Sequence, residues 1–179
     1  LQVGLEVNQI ALFLAAFIFG GAIAQYPIGW IADKFDRRWV LIILSLAAIF
    51  SSSLTIIVSS QGTIAIFFAA FIFGFITFPI YSVASAHAND FAKPAQMVEL
   101  SAALIFFFAV GAIGSPILSA KLVEIYGPNA LFVFIGLAHV ILVIVSIARM
   151  NVRPSAEIKT SYRYTPRTSF GIAKLIRRR

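Results

Sequence analysis

Five stretches of the chain contain no Asp, Glu, Lys or Arg: Ile10–Ala32, Trp39–Val58, Thr63–Ala86, Leu100–Ala120 and Ala130–Ala148. They hold 23, 20, 24, 21 and 19 residues. A helix rising about 1.5 Å per residue needs about 20 apolar residues to cross roughly 30 Å of hydrocarbon. Within the stretches the apolar positions run together, as in Leu41-Ile42-Ile43-Leu44 and Ile66-Phe67-Phe68-Ala69-Ala70-Phe71. A spanning β-barrel needs short alternating segments instead. The pattern predicts an all-α integral membrane protein with five transmembrane helices. Charges sit in the gaps because one at mid-bilayer costs about 2.5–3.5 kcal/mol on insertion scales.

The gaps are short: Asp33–Arg38, Ser59–Gly62, His87–Glu99 and Lys121–Asn129, the last with a Gly127-Pro128 breaker. Short connections make consecutive helices antiparallel. The transmembrane region therefore covers residues 1–149, and residues 150–179 form a basic tail. Counted from Arg149, this end carries nine basic residues against one acid, Glu157. Thirteen of the 14 basic residues fall on one side of the predicted bundle, and Lys121 stands alone on the other. By the positive-inside rule this places the tail and the Asp33–Arg38 and His87–Glu99 loops in the cytoplasm, with the N-terminal end outside. The first stretch is not a secretory signal: it has no basic lead, and Asp33-Lys34 follows it where small residues would be cleaved.

Composition agrees. The chain is 60% hydrophobic and 12% charged, with a mean hydropathy of +0.95, whereas soluble domains hold about 25% charged residues. The net charge of +7 reads as an orientation signal with some attraction to anionic lipid; no nucleic-acid partner is expected. With no cysteine, disulfides, thiolate metal sites and Cys nucleophiles are excluded. His87 and His139 lie far apart without acidic partners at ligand spacing, so no metal site is expected. No Walker loop, Ser-His-Asp order or paired catalytic carboxylates occur. The expectation is a protein that is not an enzyme and needs no cofactor.

The first loop reads Gly29-Trp30-Ile31-Ala32-Asp33-Lys34-Phe35-Asp36-Arg37-Arg38. It resembles the signature loop of the major facilitator superfamily, G-x-x-x-D-[RK]-x-G-[RK]-[RK], and it lies between two membrane helices. Gly29, Asp33, Lys34, Arg37 and Arg38 match. Asp36 stands where Gly is usual; Asp tolerates left-handed backbone better than most residues, which would let the turn survive. Gly20-Gly21 with Gln25-Tyr26-Pro27-Ile28-Gly29 resembles the eighth helix of such transporters. Phe78-Pro79-Ile80-Tyr81-Ser82 and Ala86-His87-Ala88-Asn89-Asp90 resemble the tenth helix of one bacterial subgroup, and Gly111-Ala112-Ile113-Gly114-Ser115-Pro116 the helix after it. The resemblance runs from Gly4 to about Ala148. It implies a partial superfamily fold, helices eight to twelve. The repeat-related register of helices two to six is the alternative. A superfamily member has about 12 helices in two halves. Five helices, and a chain opening on Leu1, imply a fragment that lacks the N-terminal half of the same transporter.

The resemblance further implies a secondary active transporter that moves a small-molecule substrate across the plasma (inner) membrane by alternating access. A non-transport scaffold or accessory subunit is the alternative. In this reading Gly29, Asp33, Lys34, Arg37 and Arg38 form a conformational latch. Asp33 docks on the fourth helix, whose N-terminal end favours a carboxylate, and Arg37 and Arg38 bind carboxylates or lipid headgroups. The first, third and fourth helices line the cavity; the second and fifth are peripheral. Buried polar groups in a membrane face protein or water, which makes Gln25, Tyr81, Ser85 and Ser115 cavity candidates. His87 and Asp90 are candidates for proton coupling, since His titrates near neutral pH. Gly20, Gly21, Gly74, Gly111 and Gly114 are candidates for close helix packing. Ser51-Ser52-Ser53 can bond their own helix carbonyls and need no ligand.

Overall fold

The computed structural model describes residues 7–58 and 62–152. Five helices account for nearly all of them: α1 (Val7–Lys34), α2 (Arg37–Val58), α3 (Thr63–Asn89), α4 (Met97–Tyr126) and α5 (Asn129–Val152), with a single 3-10 turn at Pro94–Gln96 before α4. Each helix contains one of the five uncharged stretches and is long and apolar enough to cross a membrane. The helices overrun those stretches. α4 carries Lys121 inside it and ends at Tyr126, which shortens the last connection to Gly127-Pro128. Gly127 adopts φ 85° there, a conformation glycine reaches without steric cost. Most of the tail, residues 153–179, lies outside the described residues.

The helices pack in the order α1, α3, α2, α5. α1 lies along α3, and α2 is held between α3 and α5, while α4 touches α5 sparingly and α3 still less. In lipid no hydrophobic force drives helices together, so close packing has to come from shape. At the α1–α3 crossing that shape is supplied by glycine. A Cβ on Gly20 would run into the backbone carbonyl of Phe71, and one on Gly74 into that of Phe17. Gly21 accommodates the Phe78 ring in the same way. Gly111 and Gly114, on α4, have nothing within 4 Å of such a Cβ among the described residues.

Among the described residues α2 is the most deeply packed helix. Its Leu41, Leu44, Ala48, Ser45 and Ser52 are all buried, whereas α4 has no buried residue. α2 and α3 each have neighbours on two sides, whereas α4 packs sparsely among the described residues. Three small polar residues of α2 bond their own helix, while Ser45 Oγ and Ser51 Oγ are buried without a hydrogen-bond partner among the described residues. Ser52 Oγ donates to Ala48 O at 2.8 Å, Ser53 Oγ to Ile49 O at 3.0 Å and Thr55 Oγ1 to Ser51 O at 2.8 Å. Toward one end of the bundle Ala32, Val40, Leu41, Leu44 and Val83 form a shared core of α1, α2 and α3, flanked by Ile28, Ile31, Ile80 and Ala84. This core fixes the three helix ends that carry the charged residues.

Candidate functional site

The charged residues of the first loop converge where α1 ends, α2 begins and α3 ends. Arg37 opens α2, and its side chain is only 1% exposed. Its Nη2 donates to Asp33 Oδ1 at 2.9 Å. Its Nη1 donates to Asp90 Oδ1 at 2.5 Å and to the Ala86 carbonyl at 2.9 Å. One guanidinium thereby joins the last turn of α1 to the last turn of α3. The Asp90 carboxylate is as buried as Arg37, at 2% exposure, whereas that of Asp33 is 28% exposed. Burial decides the energetics: removing one member of a buried, hydrogen-bonded pair leaves an uncompensated charge and costs about 3–5 kcal/mol, while exposed pairs contribute about 0–1 kcal/mol.

Asp36 solves its turn differently from the expectation. Among the described residues only Gly62 and Gly127 have positive φ, so Asp36 does not take the left-handed conformation. Its Oδ1 accepts the backbone N–H of Arg38 at 3.0 Å, the geometry of a helix N-cap. The same carboxylate holds the Arg38 guanidinium, with Nε at 3.2 Å from both oxygens and Nη2 at 2.7 Å from Oδ2. Lys34 completes the loop by placing Nζ 3.8 Å from the centre of the Trp30 ring, a cation–π contact.

Beside this cluster, a cleft of about 540 Å³ opens between α1 and α3. Gln25, Trp30, Asp33 and Arg37 line it from α1 and the start of α2, and Pro79 and Ser82 from α3. Ser82 Oγ donates to Gln25 Oε1 at 3.0 Å and ties the two walls together. Gly29 forms part of the wall, and a Cβ there would meet nothing within 4 Å among the described residues.

The expected site residues are thus partly assembled. Gln25, Gly29, Asp33 and Arg37 come together at the cleft. Tyr81 lies elsewhere, its ring 5.2 Å from that of Phe108 on α4. Ser85 Oγ is buried without a hydrogen-bond partner among the described residues, and Ser115 sits on the exposed surface of α4. Asp33 faces Arg37, and α1 makes no contact with α4. Asp90 is turned to Arg37, while the His87 ring lies edge-on to Phe91 at 5.2 Å. The pairing of Arg37 with Asp90 has no local signal because 53 residues separate them. The Asp33–Arg37 pair joins two different helices and was not read from the sequence either, and Ser82 was legible only as one of several polar residues on α3.

Five apolar spanning helices make this chain a multi-pass integral membrane protein. A charged cluster ties three of their ends, and a mostly apolar cleft carrying Gln25, Asp33, Arg37 and Ser82 opens beside it. The family model of the Major Facilitator Superfamily matches residues 1–179, and the chain belongs to that family. Its relatives include the protein named Uncharacterized MFS-type transporter YcaD in Shigella flexneri serotype 5b (strain 8401). That protein is 34% identical over 133 residues, covering 74% of this chain and 34% of the relative. The protein of the same name in Salmonella arizonae is 32% identical over the same length. The one in Escherichia fergusonii is 29% identical over 157 residues, covering 87% of this chain and 40% of the relative. The chain thus spans between a third and two fifths of the length of these relatives.

Proposed function

We propose that this chain is helices eight to twelve of a secondary transporter that carries a small solute across the plasma membrane by alternating access, with the Arg37 end in the cytoplasm. The observation that carries the reading is the buried Arg37 guanidinium, which holds Asp33, Asp90 and the Ala86 carbonyl at once. Three helix ends locked by one side chain move together or release together, which is what a two-state gate requires. The transporter names of the relatives support transport rather than catalysis. The apolar, unburied surface of α4 supports a further set of helices on that side, the N-terminal half in this reading.

Gly29, Asp33, Lys34, Arg37 and Arg38 act as the latch in this mechanism. The arrangement described here is one state, with Asp33 on Arg37. In the other, Asp33 leaves Arg37 for the N-terminal turn of α4, where the helix dipole favours a carboxylate. Gln25 and Ser82 present an amide and a hydroxyl to the solute path; Tyr81, Ser85 and Ser115 join them once the helices rearrange. A coupling proton acts at Asp90, since neutralising that carboxylate removes the strongest hold on Arg37, with His87 one turn earlier on α3 as its relay.

The chain contains no cysteine, so spin labels can be introduced at Phe35 and Gln96 without removing any from it. In the full-length protein the distance between them is expected in two populations, and Arg37→Gln, which frees Asp33, enriches the shorter one. A single population that Arg37→Gln leaves in place would refute the latch.

A further inference from the structure

On the other side of the Arg37 cluster lies a groove of about 350 Å³ between α2, α3 and α5. Arg38, His87, Ser146 and Arg149 form its polar mouth, and Leu41, Leu142 and Val145 continue it as an apolar wall. Its two guanidiniums differ. Arg38 is held by the Asp36 carboxylate, and Asp36 and Asp90 are the acids near the mouth, Asp90 through its influence on His87. Arg149, in the last turn of α5, takes part in none of the ion pairs among the described residues and is exposed. The wall borders an exposed apolar surface of α5, where Ile141, Ile144 and Val145 are all at least half exposed. A cation without an acidic partner among the described residues, a buried serine and an imidazole thus stand at one end of an apolar groove that runs along a membrane helix.

We propose that this groove binds an anionic phospholipid, with the headgroup phosphate at Arg149 and one acyl chain along Leu41, Leu142 and Val145. The chemistry favours phosphate, since guanidinium pairs with it through two parallel hydrogen bonds, and both His87 and Ser146 can donate as well. A free phosphate uses only the mouth; the apolar wall adds nothing to its binding. The lipid is therefore the occupant that accounts for both halves of the groove. A bound lipid would bridge α5 to α2 and α3 beside the proposed latch, which makes lipid composition a means of biasing it.

The test uses the full-length protein in detergent, titrated with dioleoyl phosphatidylglycerol, dioleoyl phosphatidylcholine or inorganic phosphate and read by native mass spectrometry and by melting temperature. Phosphatidylglycerol is expected to bind and to raise the melting temperature more than phosphatidylcholine does, with inorganic phosphate without effect. Arg149→Gln is expected to weaken phosphatidylglycerol binding about tenfold, as for the loss of a charge-assisted contact. Val145→Trp, which fills the wall and keeps every charge, is expected to weaken it similarly. Equal binding of the two lipids overturns the proposal, as does stabilisation by inorganic phosphate alone, which would make the mouth a soluble-anion site. Loss in Arg149→Gln without loss in Val145→Trp overturns it too, because attraction would then come from surface charge rather than from the groove.

Discussion

Gly20 and Gly74 lie where α1 and α3 cross backbone against backbone, whereas Gly111 and Gly114 lie on α4 with open space around them among the described residues. The residue type, the apolar surroundings and the helical setting are alike in the two regions. What differs is the neighbour. α1 has a parallel partner whose carbonyls fill the notch left by a missing side chain, and the Arg37 cluster secures the same helices at their ends. α4 offers a stripe of Phe106, Phe107, Phe108, Ile113 and Ile117, each more than half exposed. A small residue in a membrane helix is therefore an opportunity for contact, and the surface it meets decides whether contact occurs.

Four changes test this contrast. The largest effect is expected from Arg37→Gln, which leaves the Asp90 carboxylate buried without its cation and costs about 3–5 kcal/mol. Unfolding in detergent monitored by circular dichroism measures it, and an Asp90→Asn second change should recover part of the loss. Next comes Gly74→Leu. Phe17's carbonyl cannot yield as a side chain tip would, so the change is expected to cost about 3 kcal/mol, at the upper end for overpacking. Cysteine cross-linking between α1 and α3 would fall with it. The same substitution at Gly114 sharpens the comparison: a cost below about 0.5 kcal/mol is expected if that face meets only lipid, and a cost matching that of Gly74→Leu if further helices cover it. Gln25→Leu removes the α1–α3 bond to Ser82 and is expected to cost about 0.6 kcal/mol, the usual value for a hydrogen bond between membrane helices. A loss several times larger would mean that the cleft wall depends on that pair more than its exposed position suggests.

The sequence exposed the site unevenly. Asp33, Arg37 and Arg38 were legible as a group because the loop packs them within six residues, but the pairing of Asp33 with Arg37 was not, since the two stand on different helices. Gln25 was legible because a polar group in a long apolar run needs a partner, but Ser82, its partner, was one hydroxyl among several on α3. Asp90 was read together with His87, its near neighbour in sequence. The structure gives it instead to Arg37, since the α2–α3 packing brings those two ends together. Asp36 was read as a tolerated substitute in a strained turn and is instead the residue that starts α2, a role its side chain can fill only because the helix begins one residue later.

What the sequence determined by itself is the membrane character of the chain: five long apolar segments, each inside one helix, with the charges gathered near the helix ends. Each of these follows from transfer free energies summed along a continuous stretch, a local property that any reader of the chain can add up. What only the tertiary structure decided is which helix meets which, that α2 and α3 lie between neighbours while α4 packs sparsely among the described residues, and that Arg37 spans from α1 to α3. Those choices cannot be summed along the chain. In lipid every apolar helix face is equally content, so packing is settled by small differences in shape and hydrogen bonding between segments dozens of residues apart.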